Sequence, residues 1–135
     1  MLNAKYWGDS TALHAAAETG HTAAVQTLLA YGADVEARDD HGDTPLLTAA
    51  QFFRIDIVKT LLDHGVDISA ENDVGFTALQ MSALASPDPD IVAALLTHGA
   101  NVWHRWRGDF CVLRFGTVTT KAALVAAGAS FLDAC

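Results

Sequence analysis

The fold of this chain is decided by residues 11–35, which read TALHAAAETGHTAAVQTLLAYGADV. Two similar stretches follow: residues 44–67 read TPLLTAAQFFRIDIVKTLLDHGVD, and residues 77–101 read TALQMSALASPDPDIVAALLTHGAN. Their first residues, Thr11, Thr44 and Thr77, are evenly spaced, and Cys111 begins a weaker fourth copy after an interval one position longer. A fixed period of this length predicts a stack of repeated units.

Each unit predicts two short helices joined by a turn. The hydroxyl of Thr11 can cap the first helix, Gly20 and His21 break it, and Gly32 ends the second helix in a left-handed conformation. Apolar side chains recur at helical spacing in both segments. The residues predicted to face inward are Leu13, Ala16 and Ala17 in the first helix, and Ala24, Val25, Leu28 and Leu29 in the second.

A polar connection links each unit to the next. Residues 33–43 predict an extended, hairpin-like segment with Gly42 at its tip. Neither helix of a unit can bury its apolar face alone, so neighbouring units must stack, and about three are needed for stability.

This arrangement resembles the ankyrin-repeat family. The first unit matches the family pattern at Thr11, Leu13, His14, Ala16, Ala17, Gly20, His21, Val25, Leu28, Leu29, Gly32, Ala33, Asp34 and Val35. The second unit matches it from Thr44-Pro45-Leu46 to Gly65 and Asp67, with Phe53-Arg54 in place of Gly-His, and the third from Thr77 to Ala100. The resemblance implies an all-α solenoid, a single domain over residues 1–135, with repeats at about 6–38, 39–71, 72–105 and 106–135.

The third and fourth units depart from this pattern. The third gains one residue near Ser86, where Asp88 and Pro89 are predicted to cap and begin the second helix. In the fourth, Gly128 follows Gly99 more closely than Gly99 follows Gly65, which predicts a short or missing first helix, as at the end of a solenoid. The apolar end of this unit also fits a piece of a longer array, so both interpretations stay open.

Composition limits the classes of function. The chain is 51% hydrophobic and 18% charged, which is richer in apolar residues than most globular proteins and excludes disorder for the bulk of the chain. Its net charge of −8 opposes binding to nucleic acid or to anionic membranes. We see neither a spanning segment nor a secretory signal, so we expect a cytoplasmic location, or a nuclear one in a eukaryote. We expect Cys111 and Cys135 to be reduced thiols.

We expect no catalytic, metal or cofactor site. His14 and His21 lie where the resemblance implies hydrogen bonds between turns and repeats, and His64 and His98 precede helix-ending glycines. Neither a nucleophile motif nor a phosphate-binding loop is present. We interpret the tripeptide that begins at Arg107, Arg-Gly-Asp, as a coincidence at a hairpin tip.

The tips and the first-helix faces are the predicted binding surface, as in other repeat proteins. Residues 1–102 carry 4 basic and 14 acidic side chains, for −10, and residues 103–135 carry 4 and 2, for +2. Tryptophan and arginine are enriched in binding hot spots, and we expect Trp106 to be exposed. The predicted contact residues are Arg38, Asp39, Asp40, His41, Asp43, Phe52, Glu71, Asp73, Phe76, Arg105, Trp106 and Arg107.

The predicted function is therefore a non-catalytic module for protein–protein interaction. Its acidic tips predict a protein partner with a basic surface. The alternative is a dedicated inhibitor or immunity-type protein that blocks a basic site on a target enzyme. Flanking repeats in the native reading frame would favour a scaffold, and an intact gene of this length would favour the inhibitor.

Overall fold

A computed structural model describes residues 3–85, 89–101, 105–106 and 110–111 of this chain. Six α-helices occur in pairs: α1 Ala12–Thr19 with α2 Thr22–Ala30, α3 Pro45–Gln51 with α4 Ile55–Asp63, and α5 Ala78–Ala85 with α6 Pro89–Thr97. A short 3-10 helix, Trp7–Asp9, precedes α1. Two-residue strands β1 Arg105–Trp106 and β2 Phe110–Cys111 pair in antiparallel after α6. The described fold is an all-α solenoid, as predicted.

The first helix of each pair begins at a capping threonine. The Oγ1 of Thr11 accepts a hydrogen bond from the backbone N–H of His14, and the Oγ1 of Thr44 accepts one from Leu47, both at 3.4 Å. In the third pair Thr77 and Gln80 bond reciprocally, with the Thr77 N–H donating to Gln80 Oε1 at 3.0 Å. The recurring threonine of the sequence is thus an N-cap, which contributes about 1 kcal/mol to a helix.

The helices form two layers. The inner helices α1, α3 and α5 pack side by side, and the outer helices α2, α4 and α6 pack behind them. Alanines on the inner helices let the layers approach closely, while leucine, isoleucine and valine fill the space between them. The most deeply buried side chains include Leu13, Ala17, Val25, Leu46, Ala49, Ala50, Val58, Leu61, Leu79, Val92 and Leu95.

One predicted core residue is exposed. Ala24 was expected to face inward with Val25, but it lies on the surface of α2, and Leu28 is only half-buried. The residue equivalent to Ala24 in the next repeat, Ile57, is 1% exposed. The difference arises because α2 packs against α4 on one side only, and no described α-helix of an earlier repeat covers its other side. The prediction for Ala24 was therefore wrong.

The turns inside the first two repeats differ at one residue. Gly20 ends α1 with φ of +82°, and Phe53, at the equivalent position of the next repeat, adopts the same left-handed region with φ of +60°. This region is strained for a bulky side chain. Arg54 follows Phe53 and donates from Nε to the Glu18 carbonyl at 3.1 Å, which ties the second turn to the end of α1.

Some predictions fall on residues outside the described ranges. They include Asp88, the arrangement of the fourth unit beyond Cys111, the tripeptide from Arg107 and the thiol of Cys135. Pro89 is the first residue of α6, as predicted. Within the described helices, none is long and apolar enough to cross a bilayer.

Candidate functional site

The connections between repeats end in five-residue turns, which we call tips: residues 6–10, 39–43 and 72–76. One backbone hydrogen bond closes each of them, from the N–H of its first residue to the carbonyl of its last. The three bonds are Tyr6 to Ser10 at 2.7 Å, Asp39 to Asp43 at 3.1 Å and Asn72 to Phe76 at 3.1 Å. In the strand pair, Trp106 lies opposite Phe110 in the equivalent position. The predicted hairpin-like tips therefore recur with the period of the sequence repeats.

Backbone hydrogen bonds also join each tip to the next. The N–H of Asp40 donates to the Gly8 carbonyl at 2.8 Å, and the N–H of Asp73 donates to the His41 carbonyl at 3.0 Å. Because the second bond repeats the first at the equivalent positions of the next pair of tips, the tips form a regular row along one edge of the solenoid. Trp7, Asp40 and Asp73 occupy the same position in successive tips, which we call the point of the tip.

Two basic side chains reinforce the row. Lys5 Nζ donates to the Arg38 carbonyl at 2.9 Å. Arg38 Nη1, one repeat later, donates to the Gly42 carbonyl at 3.0 Å and to the Glu71 carbonyl. Arg38 was predicted to contact a partner, but its guanidinium joins the second tip to the third repeat, although the residue is exposed.

Asp39 and Asn72 hold their own tips closed. The Oδ1 of Asp39 accepts from the N–H of His41 and from the N–H of Asp43, both at 2.9 Å. The Oδ1 of Asn72 accepts equivalent bonds from Val74 at 3.1 Å and from Phe76 at 3.0 Å. These side chains lie at the base of the tip, and Asp39 is half-buried there. Asp39 was predicted to contact a partner, and the structure shows that its side chain also closes the second tip.

Asp43 lies at the base of the second tip and is only 6% exposed. Its Oδ1 accepts a hydrogen bond from Asn72 Nδ2 at 3.1 Å, and burial raises the pKa of its carboxyl group above the usual aspartate value. The prediction that Asp43 belongs with the exposed tip residues is therefore corrected. This carboxyl group connects the second and third repeats.

His14 connects the first and second repeats. Its Nδ1 accepts a hydrogen bond from the N–H of Thr11 at 3.2 Å, so Nε2 carries the proton and donates to the Asp43 carbonyl at 2.7 Å. The predicted hydrogen bonding of His14 between repeats is confirmed. His21 instead contacts Thr19 Oγ1 in its own repeat, at 2.7 Å.

The histidine at the end of the third outer helix also has a structural contact. His98 Nδ1 donates to the Ala94 carbonyl at 2.9 Å, and its Nε2 lies 3.6 Å from Asp63 Oδ1. This contact with a helix-end carbonyl agrees with the structural role predicted for it. Across the part of the chain that the structure describes, no group of three potential metal ligands comes together.

Several exposed members of the predicted set lie at and beside the points of the tips. Asp40 and Asp73 are exposed, and His41 Nε2 lies 3.6 Å from Asp40 Oδ1. Glu71 is exposed beside the third tip, and Phe76 is half-buried within it. The two point carboxylates therefore face solvent, one repeat apart.

A groove of about 390 Å³ lies between the first two tips and the first two inner helices. Five of the predicted residues line it: Asp39, Asp40, His41, Asp43 and Phe52. Phe52, at the C-terminal end of α3, is 37% exposed. Asp73 and Phe76 of the third tip, and Glu71 beside it, do not line this groove.

The sequence analysis did not include the exposed groove residues Trp7 and Glu18 in the predicted set. Trp7, at the point of the first tip, is 96% exposed, and Glu18 is exposed on α1. The repeat period contains the signal for Trp7, because counting back one repeat from Asp40 gives this position. Trp7 is thus an exposed tryptophan. The exposure predicted for Trp106 stays a prediction.

The fourth tip is described only in part. Arg105 and Trp106 form β1, and the pairing of Trp106 with Phe110 gives Trp106 the register of Asp39 and Asn72, at the base of a tip. By the same register, Arg107 corresponds to Asp40 and Asp73, but it lies outside the described residues. The predicted contact by the side chains of Arg105, Trp106 and Arg107 remains a prediction.

Comparison with protein families agrees with this geometry. The family model described as "Ankyrin repeats (3 copies)" matches residues 13–105. The chain belongs to the ankyrin-repeat family. A search of curated proteins gave no match. Ankyrin repeats generally mediate protein–protein interaction and are typically non-enzymatic, which agrees with the class of function predicted from the sequence.

Proposed function

We propose that this ankyrin-repeat chain is a non-catalytic module that binds one protein partner through its row of tips and the adjoining face of its inner helices. The observation that carries the proposal is the bonding of each tip to the next at a constant interval. This bonding holds Trp7, Asp40 and Asp73 in equivalent positions on one edge of the solenoid. A rigid row of exposed side chains provides a preorganised surface, which lowers the entropic cost of binding.

The charge of this face supports a partner with a basic surface. Asp40 and Asp73 are exposed at the points of two successive tips, and Glu71 is exposed beside the second of them. The basic Arg38 donates to carbonyls within the row. Complementary charges accelerate association and disfavour acidic competitors. An inhibitor that blocks a basic site on an enzyme would use the same carboxylates.

The proposal is tested by photo-crosslinking in a lysate of the source organism. A benzophenone amino acid replaces Phe52 in one variant, and in a matched variant it replaces Lys59, which is exposed on outer helix α4. We expect a discrete crosslinked protein from position 52 that is absent at position 59. Equal crosslinking at the two positions, or crosslinking at position 59 alone, would contradict the proposal.

A further inference from the structure

The groove between the first two tips combines acidic and aromatic side chains. Among the described residues that line it, Glu18, Asp39, Asp40 and Asp43 are acidic, and neither lysine nor arginine is present. Asp43 is buried against Asn72, and the Oδ1 of Asp39 is occupied by backbone donors. Glu18 and Asp40 are therefore the exposed carboxylates of the groove.

Trp7 and Phe52 supply the aromatic surface. Trp7 is on the first tip and Phe52 is at the end of α3, so two different elements present rings to one groove. An indole that is 96% exposed gains little from packing inside its own chain. Exposed aromatic surface beside carboxylates matches a group that is both cationic and flat, because such a group can stack on a ring while it bonds an oxygen.

We propose that this groove binds an arginine side chain from a basic segment of the protein partner. The guanidinium stacks on Trp7 and donates hydrogen bonds to Asp40 and Glu18, and its aliphatic stem lies against Phe52. The inference rests on the proposed function, since it identifies one contact made by the same face. The groove suits arginine better than lysine, because a lysine ammonium lacks the planar surface for stacking and the paired donors for a carboxylate.

The closest approach of the two tips supports this placement. A Cβ atom at Gly8 would lie 3.0 Å from Asp40 Oδ1. The Asp40 carboxylate therefore lies against the backbone of the first tip, at the residue that follows Trp7. The bond between the Asp40 N–H and the Gly8 carbonyl fixes the two tips together at this point. The carboxylate and the indole are thus carried by backbone segments whose relative position is set before any partner binds.

Two blocked tripeptides test the inference: acetyl-Gly-Arg-Gly-amide and acetyl-Gly-Lys-Gly-amide. Both carry one positive charge, so the attraction from the net charge of −8 is similar for the two probes. Each is titrated into the full chain at low ionic strength, and binding is followed by NMR from the Trp7 indole N–H and the backbone amides of the first two tips. We expect saturable shifts at these positions and about fivefold tighter binding of the arginine tripeptide.

Variants locate the site. Trp7→Ala is expected to remove the preference for arginine over lysine, and Glu18→Gln is expected to weaken both tripeptides. The matched controls are Tyr31→Ala, an exposed aromatic residue beyond the end of α2, and Asp56→Asn, an exposed acid on α4. We expect both controls to bind as the unmodified chain does, with thermal melting confirming that every variant is folded.

Three results would overturn the inference: equal affinity for the two tripeptides, an effect of Asp56→Asn as large as that of Glu18→Gln, or no saturable shift at the first two tips. These failures are distinguishable from failure of the proposed function. Crosslinking from position 52 with no arginine preference would reject the arginine contact alone. Crosslinking only from position 59 would show that the partner does not bind the row of tips and the inner helices, and would reject the proposed function.

Discussion

The base and the point of the second tip use the same residue type for different purposes. At the base, Asp39 and Asp43 accept hydrogen bonds from backbone N–H groups and from Asn72. At the point, Asp40 is exposed to solvent. The difference teaches that only part of the acidic sequence of the tips is available to a partner. The rest holds the repeats together.

The largest expected effect comes from removing the connection at the base of the tip. His14→Ala leaves the Asp43 carbonyl and the Thr11 N–H without their buried partner and opens a cavity. We expect the free energy of unfolding to fall by about 3 kcal/mol in urea denaturation. The matched control is His21→Ala, an exposed histidine, with an expected loss below about 0.5 kcal/mol. Equal losses would show that His14 does not connect the repeats.

A second substitution tests the close approach of neighbouring tips. Gly42 has φ of +74°, and a Cβ there would lie 2.8 Å from the backbone nitrogen of Asp73 and closer still to its carboxylate. We expect Gly42→Ala to destabilise the chain by about 2 kcal/mol. Gly65→Ala, with φ of +83° and nothing within 4 Å, carries the backbone strain alone and is expected to cost about 1 kcal/mol. If both variants lose the same stability, the tips are not in close contact.

The pH dependence of the free energy of unfolding tests whether Asp43 is buried at the base of the second tip. The native state holds the Asp43 proton more tightly than the unfolded chain does, since burial raises its pKa. Stability therefore falls as pH rises from the usual aspartate pKa through the raised native value. The Asp43→Asn variant lacks this decline. The difference in free energy of unfolding between the variant and the unmodified chain should therefore favour the variant more at pH 7 than at pH 3. Urea denaturation at the two pH values measures the change.

The control for this measurement has the opposite sign. Hydrogen bonds from Ser69 lower the pKa of Asp67, so Asp67 contributes stability above the usual aspartate pKa and loses it as pH falls through the lowered native value. The free energy of unfolding of Asp67→Asn, relative to that of the unmodified chain, should therefore be lower at pH 7 than at low pH. Parallel pH profiles for the two variants would contradict the assignment of Asp43 to a buried base.

Local pattern was enough to predict much of this architecture. The capping threonines and the Gly32 helix end are set by residues within one turn of helix, and each lies where the sequence placed it. The repeat period predicted the register of the tips, and the apolar faces of the paired helices predicted that the repeats stack.

The sequence could not separate the base of a tip from its point. Asp43 is buried because Asn72 reaches it from the next repeat. Ala24 is exposed because no described α-helix covers α2 on that side. Trp7 precedes the first complete motif, so only the period relates it to Asp40. Each of these outcomes depends on a neighbouring repeat rather than on local sequence.

The smallest expected effect on stability belongs to the points of the tips. Asp40→Asn combined with Asp73→Asn should change the free energy of unfolding by less than about 0.5 kcal/mol, because both side chains are exposed. Urea denaturation beside His14→Ala gives the comparison directly. A loss similar to that of His14→Ala would mean that the points are also part of the scaffold.

The central claim is that the points of the tips contact the partner. Its most direct test is the rate at which the chain associates with the partner identified by crosslinking, measured by surface plasmon resonance at low and physiological salt. We expect the Asp40→Asn and Asp73→Asn double variant to associate at least about threefold more slowly, with a weaker salt dependence. The charge-matched double variant of outer helix α4, Asp56→Asn with Asp63→Asn, should associate nearly as fast as the unmodified chain. Equal slowing by the two double variants would contradict the account, because net charge rather than the row of tips would then control binding.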